Sequence, residues 1–256
     1  MFVSQYGYRK CHSTENACLE LIDRISHQLD SKQTPICLFL DLSKAFDTLD
    51  HNILLSKLQY YGLTDTPLKW FSSYLSERQQ YVELDGLKSS TAPINTGVPQ
   101  GSILGPLLFI IYINDINNAS KIFNASLYAD DTSLNTVISA FDIDRNNTIS
   151  KKINDELSLI NEWLASNKLS LNVAKTKFML FRFPQKSKVS MPKLELQING
   201  TSIEQVRTFD FLGLVINDTL SWKDHVNKIS LKITKVIAVM RKIKHLVNSS
   251  ILLKNI

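Results

Sequence analysis

The chain has 256 residues, 44% hydrophobic and 21% charged, with a net charge of +5. That is the make-up of a folded protein with a real core, not of a disordered or low-complexity chain. The three cysteines, Cys11, Cys18 and Cys37, lack C-x-x-C spacing and read as free thiols of a reducing compartment, which excludes a disulfide-stapled scaffold.

Met1 is followed by neither a basic n-region nor an apolar h-region, so no signal peptide is expected and the protein is placed inside the cell, in nucleus or cytoplasm. The most apolar run, Ile103 to Ile113, reaches about half of the ~20 residues that span a bilayer and reads as a buried helix, so no membrane partner is expected. The positive charge permits a polyanionic partner without demanding one.

In chain order, Gln5 to Thr14 is polar and aromatic, with Arg9 and Lys10 at its centre. Ser13 or Thr14 caps a helix running to about Ser31-Lys32, with Ala17, Cys18, Leu19, Ile22, Ile25 and Leu29 as its apolar face. Ile36-Cys37-Leu38-Phe39-Leu40 is a continuous apolar run, as in a strand buried on both faces, and it stops at Asp41. Asp50 is the expected cap of a helix from Ile53 to Tyr61, closed by Gly62. Thr66 and Pro67 open a second short helix carrying Leu68, Phe71 and Leu75. Tyr81 to Leu84 and Asp85-Gly86 read as a hairpin.

Asn95-Thr96-Gly97-Val98-Pro99-Gln100-Gly101-Ser102 is a tight loop where a backbone or ligand can approach closely, and it feeds the apolar helix Ile103 to Asn114. In Ser126 to Leu134, Leu127 and Ala129 alternate with Ser126 and Tyr128 as in a half-buried strand, and Asp130-Asp131 sits where a hairpin turn belongs. An Asp-Asp pair in a polar turn is by itself an ordinary solvated loop. At a strand end, however, two carboxylates repel each other, and a hard divalent cation such as Mg²⁺ or Mn²⁺ relieves the repulsion.

Phe141 to Thr148 is a polar connection, and Ile149, Ile153, Leu157, Ile160 and Leu164 mark an amphipathic helix ending at Ser166. Phe178 to Phe181 is a strand, and Phe183 to Pro192 a basic loop. Leu194 to Ile198 alternates ahead of an Asn199-Gly200 turn, and Phe211 to Ile216 reads as one more strand. From Asp224 a long helix sets Val226, Ile229, Ile233, Val236, Ile237, Met240 and Ile243 against a lysine face of Lys228, Lys232, Lys235, Lys242 and Lys244. That face suits a nucleic acid or a membrane surface, or simply solvent.

The order of these pieces carries more than any one of them. Phe39-Leu40-Asp41-Leu42-Ser43-Lys44-Ala45-Phe46-Asp47, Gly97-Val98-Pro99-Gln100-Gly101-Ser102-Ile103-Leu104-Gly105-Pro106, Tyr128-Ala129-Asp130-Asp131, Asn172-Val173-Ala174-Lys175-Thr176 and Phe211-Leu212-Gly213 resemble motifs A to E of reverse transcriptases. The nearest resemblance is to the retrotransposon type without long terminal repeats, as in jockey-like mobile elements. It covers roughly residues 5 to 216.

The resemblance implies an α+β fold, the right-hand polymerase palm with partial fingers and the start of a helical thumb. Its divisions would be residues 1–35 for a partial fingers segment, 36–220 for the palm and 221–256 for a truncated thumb. It implies RNA-directed DNA synthesis, with an RNA template, a DNA primer and deoxynucleoside triphosphates (dNTPs) as partners. By motif match, Asp41, Asp130 and Asp131 would be the catalytic carboxylates and would bind two Mg²⁺ ions, with Mn²⁺ as a substitute. Phe46 would gate the sugar 2′-hydroxyl, and Gln100 with Gly101 would meet the incoming nucleotide. Lys175 would protonate pyrophosphate, with Lys177 as competitor, and Arg9 would contact the triphosphate. Phe211, Leu212 and Gly213 would form the primer grip. The missing endonuclease domain and Cys/His knuckle suggest part of a larger element product. Two other readings stay open: an inactive remnant that only binds nucleic acid, and a group II intron maturase-like protein.

Overall fold

The apolar run before Asp41 forms strand β1 (Thr34–Leu40), and every residue after Thr34 in it is buried. The computed structural model describes residues 4–138, 146–183 and 192–244. β1 is the middle of a five-stranded sheet. On one side it pairs antiparallel with β7 (Asp131–Ile138), which pairs in turn with β6 (Asn124–Tyr128). On the other side lies β8 (Lys177–Leu180), also antiparallel, and beyond it the parallel β11 (Glu204–Gln205). Short pairs complete the strands: β2 (Gln79–Gln80) with β5 (Ala92–Pro93), β3 (Glu83–Leu84) with β4 (Leu87–Lys88), β9 (Gln197–Ile198) with β10 (Thr201–Ser202), and β12 (Thr208–Phe211) with β13 (Leu214–Asn217).

Successive side chains of a strand point to opposite faces, and here that alternation divides the core in two. Ile36, Leu38 and Leu40 of β1, with Phe178 and Leu180 of β8, enter one hydrophobic cluster. It is covered by α2 (His51–Tyr60), α4 (Leu104–Ile113) and α5 (Asn146–Ser166), through Leu54, Phe109, Tyr112 and Leu157 among others. Cys37, Phe39, Met179 and Phe181 enter the second cluster, covered by α1 (Thr14–Asp30) and by Phe211 and Ile216 of the β12–β13 hairpin. Phe39 stacks on Phe209 with ring centroids 4.1 Å apart. Both layers fix the strand that delivers Asp41, each buried leucine or phenylalanine contributing about 1.5–3 kcal/mol.

Local signals explain most boundaries. Asp50 Oδ1 accepts from the backbone N–H of Asn52 and Ile53 at 2.9 and 3.0 Å, and Gly62 closes α2 with φ of 95°. Ser13 caps α1 by accepting from Asn16 N. Asp85-Gly86 and Asn199-Gly200 both take positive φ at both turn residues, as type I′ turns require. In α5, Ile149, Ile153, Leu157, Ile160 and Leu164 are all buried.

Several expectations change. Phe211 to Ile216 is not one strand: Leu212 and Gly213 have φ of 51° and 88° and fold it into the β12–β13 hairpin. Ile103 is 94% exposed and stands ahead of α4, and Leu19 is 68% exposed while Leu21 takes the buried place in α1. α3 (Asp65–Leu75) starts after Thr64, so Pro67 is its third residue, still inside the turn whose N–H groups need no partner. Ser126 is buried rather than solvent-facing, because α1 covers that side of β6 and Glu20 accepts its hydroxyl at 3.1 Å.

α6 (Lys223–Ile243) packs on β13 and buries none of its residues. Its apolar positions and its lysines alike face solvent, except that Lys228 pairs with Asp210. Residues 141–145 of the polar connection lie outside the described residues, as do 184–191 of the basic loop. No described helix is long and apolar enough to cross a membrane. Cys18 and Cys37 are buried in the second cluster and Cys11 is exposed.

Candidate active site

The register of β1 against β7 decides where Asp41 goes. Leu40 pairs with Thr132 as the last step of that register, so Asp41 and Asp131 are the next residues along the two strands. The charge of Asp41 is felt at the Asp131 carboxyl. Asp131 also pairs with Tyr128 at the end of the β6–β7 hairpin, leaving Ala129 and Asp130 as its two-residue loop. Strand ends far apart in sequence thus carry three carboxylates on the same side of the sheet's central strands.

Their electrostatics agree with the geometry. The Asp131 carboxyl is pushed up from its ordinary value, first by burial, then by the charge of Asp130 and of Asp41. The Asp41 side chain is 42% exposed, Asp130 is exposed, and Asp131, although its carboxyl is crowded by the protein, keeps an exposed side, so the acidic strand ends can be approached from outside.

The segment before β8 docks on the residues around Asp41. Asn172 N donates to Asp41 O at 2.8 Å, and Ser43 N to Ser170 O at 2.8 Å. This brings Lys175 Nζ to 3.9 Å from Asp41 Oδ2, on a side chain 71% exposed. Lys177 points elsewhere: its Nζ is held by Ala174 O at 2.8 Å and Glu204 Oε2 at 2.6 Å.

After Asp41 the chain turns through a 3₁₀ segment, Ala45–Asp47, and the glycine-rich loop is stitched to it. Val98 N donates to Phe46 O at 2.9 Å, and Thr96 Oγ1 to Asp47 O at 3.2 Å. Gly97 has φ of 82°, and a Cβ there would stand 2.7 Å from Asp47 O, so no side chain fits. Gln100 Nε2 donates to Asp47 Oδ1 at 2.8 Å. Gly101, with φ of 78°, faces open space. Phe46 is half-buried and stacks on Phe109 at 4.5 Å, so one ring face belongs to the core. Lys44, Asp47, Arg78, Gly97 and Gln100 are among the residues lining a cavity of about 580 Å³ beside this loop.

The remaining expected residues lie on two other elements. Arg9 donates from Nη1 to Gln5 O at 2.8 Å, at the root of a segment that runs along β6. Phe211 is buried in the second cluster, and half-buried Leu212 with exposed Gly213 forms the bend of the β12–β13 hairpin. A cavity of about 450 Å³ lies between that bend, α1 and the start of α6.

A family model described as reverse transcriptase (RNA-dependent DNA polymerase) matches residues 1–216. The chain belongs to the reverse transcriptase family. Its relatives include the RNA-directed DNA polymerase of the mobile element jockey from Drosophila melanogaster. That match is 27% identical over 232 residues, covering 88% of this chain and 24% of the relative. The probable RNA-directed DNA polymerase from the X-element transposon of the same species is 25% identical, over 91% of this chain and 25% of its own length. This reverse transcriptase chain therefore spans about a quarter of the length of these curated relatives. Telomerase from Candida albicans, solved with a fragment of telomeric RNA, superposes with a TM-score of 0.55 at 17% identity. The match covers 82% of this chain and 35% of that one. The likeness establishes the palm-and-fingers polymerase fold.

Reverse transcriptases as a family depend on a divalent metal. Among the described residues no group of three His, Cys, Asp or Glu side chains is arranged so as to hold a metal ion by itself. The crowding that raises the Asp131 pKa still fits such an ion, because a cation between these carboxylates would remove the repulsion. Magnesium keeps several waters and shares its shell with substrate phosphates, so an open set of carboxylates suits it better than a closed one.

Three residues in this reverse transcriptase escaped the sequence reading: Gln5, Gly7 and Asp47. Glycine between aromatic residues, as in Tyr6-Gly7-Tyr8, is a signal of close backbone approach. Nothing in the sequence pairs Asp47 with Gln100.

Proposed function

We propose that this chain is the catalytic core of an RNA-directed DNA polymerase of a retrotransposon without long terminal repeats, acting inside the cell. It would extend a DNA primer along an RNA template with dNTPs. The observation that carries the reading is the strand register, in which β1 stops just before Asp41 where β7 starts at Asp131 after the Ala129-Asp130 turn. In this reading residues 1–35 serve as partial fingers, 36–220 as palm and 221–256 as the start of the thumb.

Asp41, Asp130 and Asp131 would hold two Mg²⁺ ions, or Mn²⁺. When bound, these ions make the primer 3′-hydroxyl a better nucleophile and neutralise the triphosphate. Lys175, close to Asp41, would give a proton to the departing pyrophosphate; that Lys177 is engaged by Glu204 supports this choice. Asp47 holds Gln100 toward the cavity beside the glycine-rich loop, where the nucleotide would lie. The free face of Phe46 would meet the sugar, and its other face is fixed by Phe109. Arg9 would meet the triphosphate with its planar fork, and the Phe211-Leu212-Gly213 hairpin would steady the primer end.

The jockey and X-element relatives favour this reading over an intron maturase. The test is extension of oligo(dT) on poly(rA) with Mg²⁺, by this chain and by its Asp130→Asn variant. Extension by the parent and none by the variant supports the reading. A parent that binds primer-template but adds no nucleotide would instead favour a non-catalytic binding protein.

A further inference from the structure

The β6–β7 hairpin turns on an awkward residue. Ala129 has φ of 56°, the left-handed region that an L side chain enters only at a cost. A two-residue loop with positive φ at its first position would ordinarily carry glycine there. Neighbouring contacts must therefore hold this turn, since its own sequence does not favour it.

Those contacts come from the first described residues. Ser4 to Gly7 runs parallel to β6, the edge strand of the sheet. Leu127 N donates to Ser4 O at 2.9 Å, and Tyr6 N to Leu127 O at 2.7 Å. Gln5 is wholly buried, and its Oε1 accepts from Gly7 N at 2.9 Å and Ala129 N at 3.3 Å. Two backbone donors on one oxygen fix which end of the amide faces the turn. Nε2 is buried with no partner. A core position with no duty beyond packing would be better served by an apolar side chain than by an amide with one end unsatisfied. Gly7 completes the fit: a Cβ there would lie 2.3 Å from Ala129 N.

We propose that Gln5 and Gly7 are positioning residues that clamp the Ala129-Asp130 turn and so set where Asp130 and Asp131 stand. The catalytic consequence rests on the polymerase reading above; the clamp itself does not. Gln5 is wholly buried and acts through the backbone of the turn.

The test uses the whole chain with Gln5→Met, which keeps length and volume but removes the acceptor. Gln5→Asn, which withdraws it by one methylene, is the second variant should the first fold poorly. Amide hydrogen exchange followed by NMR is the first readout. Protection of the Ala129 amide should fall by about tenfold or more while Leu38 in β1 keeps its own. Single-nucleotide extension is the second readout. There kcat should fall about tenfold or more with KM for the dNTP within about twofold. In an Ala129→Gly background, where the turn no longer needs support, the same substitution should cost much less. Unchanged Ala129 exchange overturns the clamp. So does a loss of protection shared equally by Leu38, or an undiminished effect in the Ala129→Gly background. A parent chain without extension counts against the polymerase reading alone, and the exchange pattern still decides the clamp.

Discussion

Gln100 is tied to Asp47 by a hydrogen bond of 2.8 Å between two exposed side chains 53 positions apart. The bond joins the glycine-rich loop to the turn that follows Asp41, and so joins two parts of the cavity wall through one contact. Asp47→Ala is expected to leave stability within about 1 kcal/mol, because exposed hydrogen bonds contribute little net. It should raise KM for the dNTP several-fold by freeing Gln100. Asp47→Asn keeps the Oδ1 acceptor and should restore most of the loss. Steady-state single-nucleotide extension by the three proteins measures it; equal KM values for all three would mean that the bond has no functional weight.

Asp131→Asn should reduce extension by about a thousandfold or more, as removal of a catalytic group commonly does. Its effect on folding has the opposite sign. The Asp131 pKa is raised in the folded protein, so the folded state holds that proton more tightly than the unfolded chain. Folding is therefore favoured below the ordinary value of 3.8 and loses that contribution as pH climbs through the raised one. Without divalent cations, the variant should be the more stable of the two at pH 7, and the advantage should vanish near pH 3. Urea titrations in EDTA at both pH values read the difference directly.

Phe46→Val separates two roles of one ring. Loss of the stack on Phe109 should cost about 1–2 kcal/mol, less than for a fully buried ring. If the other face excludes the 2′-hydroxyl, kcat/KM for ribonucleotides should rise relative to deoxyribonucleotides. Incorporation kinetics with both sugars decide it, and an unchanged ratio would assign Phe46 to the core alone.

Gly97→Ala should destabilise by about 1–3 kcal/mol, because alanine at φ of 82° is strained and its Cβ meets the Asp47 backbone. Gly101→Ala also takes a positive φ but opens onto empty space, so only the backbone cost applies there. Thermal unfolding of the two variants side by side should show the larger loss for Gly97→Ala.

Much of the scaffold could be read from the residues because local chemistry decided it. Asp50 could cap a helix in only one direction, and the spacing from Ile149 to Leu164 fits one helix face. The apolar run before Asp41 announced a central strand. What stayed illegible depended on partners distant in sequence. Leu212-Gly213 became a bend, not strand interior, because the turn folds Ile216 of β13 back into the cluster that Phe211 of β12 already joins. Leu21 displaced Leu19 from the core since the rotation of α1 is set by the sheet beneath it. The three aspartates were legible as chemistry, but their meeting depended on the β1–β7 register. Gln5 and Asp47 carry no local signal at all: each matters for what it reaches.

The thiols differ in a way that is useful at the bench. Burial pushes the Cys18 thiol up to about 11 and raises that of Cys37 as well, while Cys11 stands in solvent. Thiolate is the reactive form, so a maleimide dye at neutral pH should couple at Cys11 alone. That residue lies two positions beyond Arg9, on the segment that begins at the β6 edge. The native sequence thus already carries a single fluorescent reporter position on the segment that docks against the β6–β7 hairpin, with no cysteine to remove first.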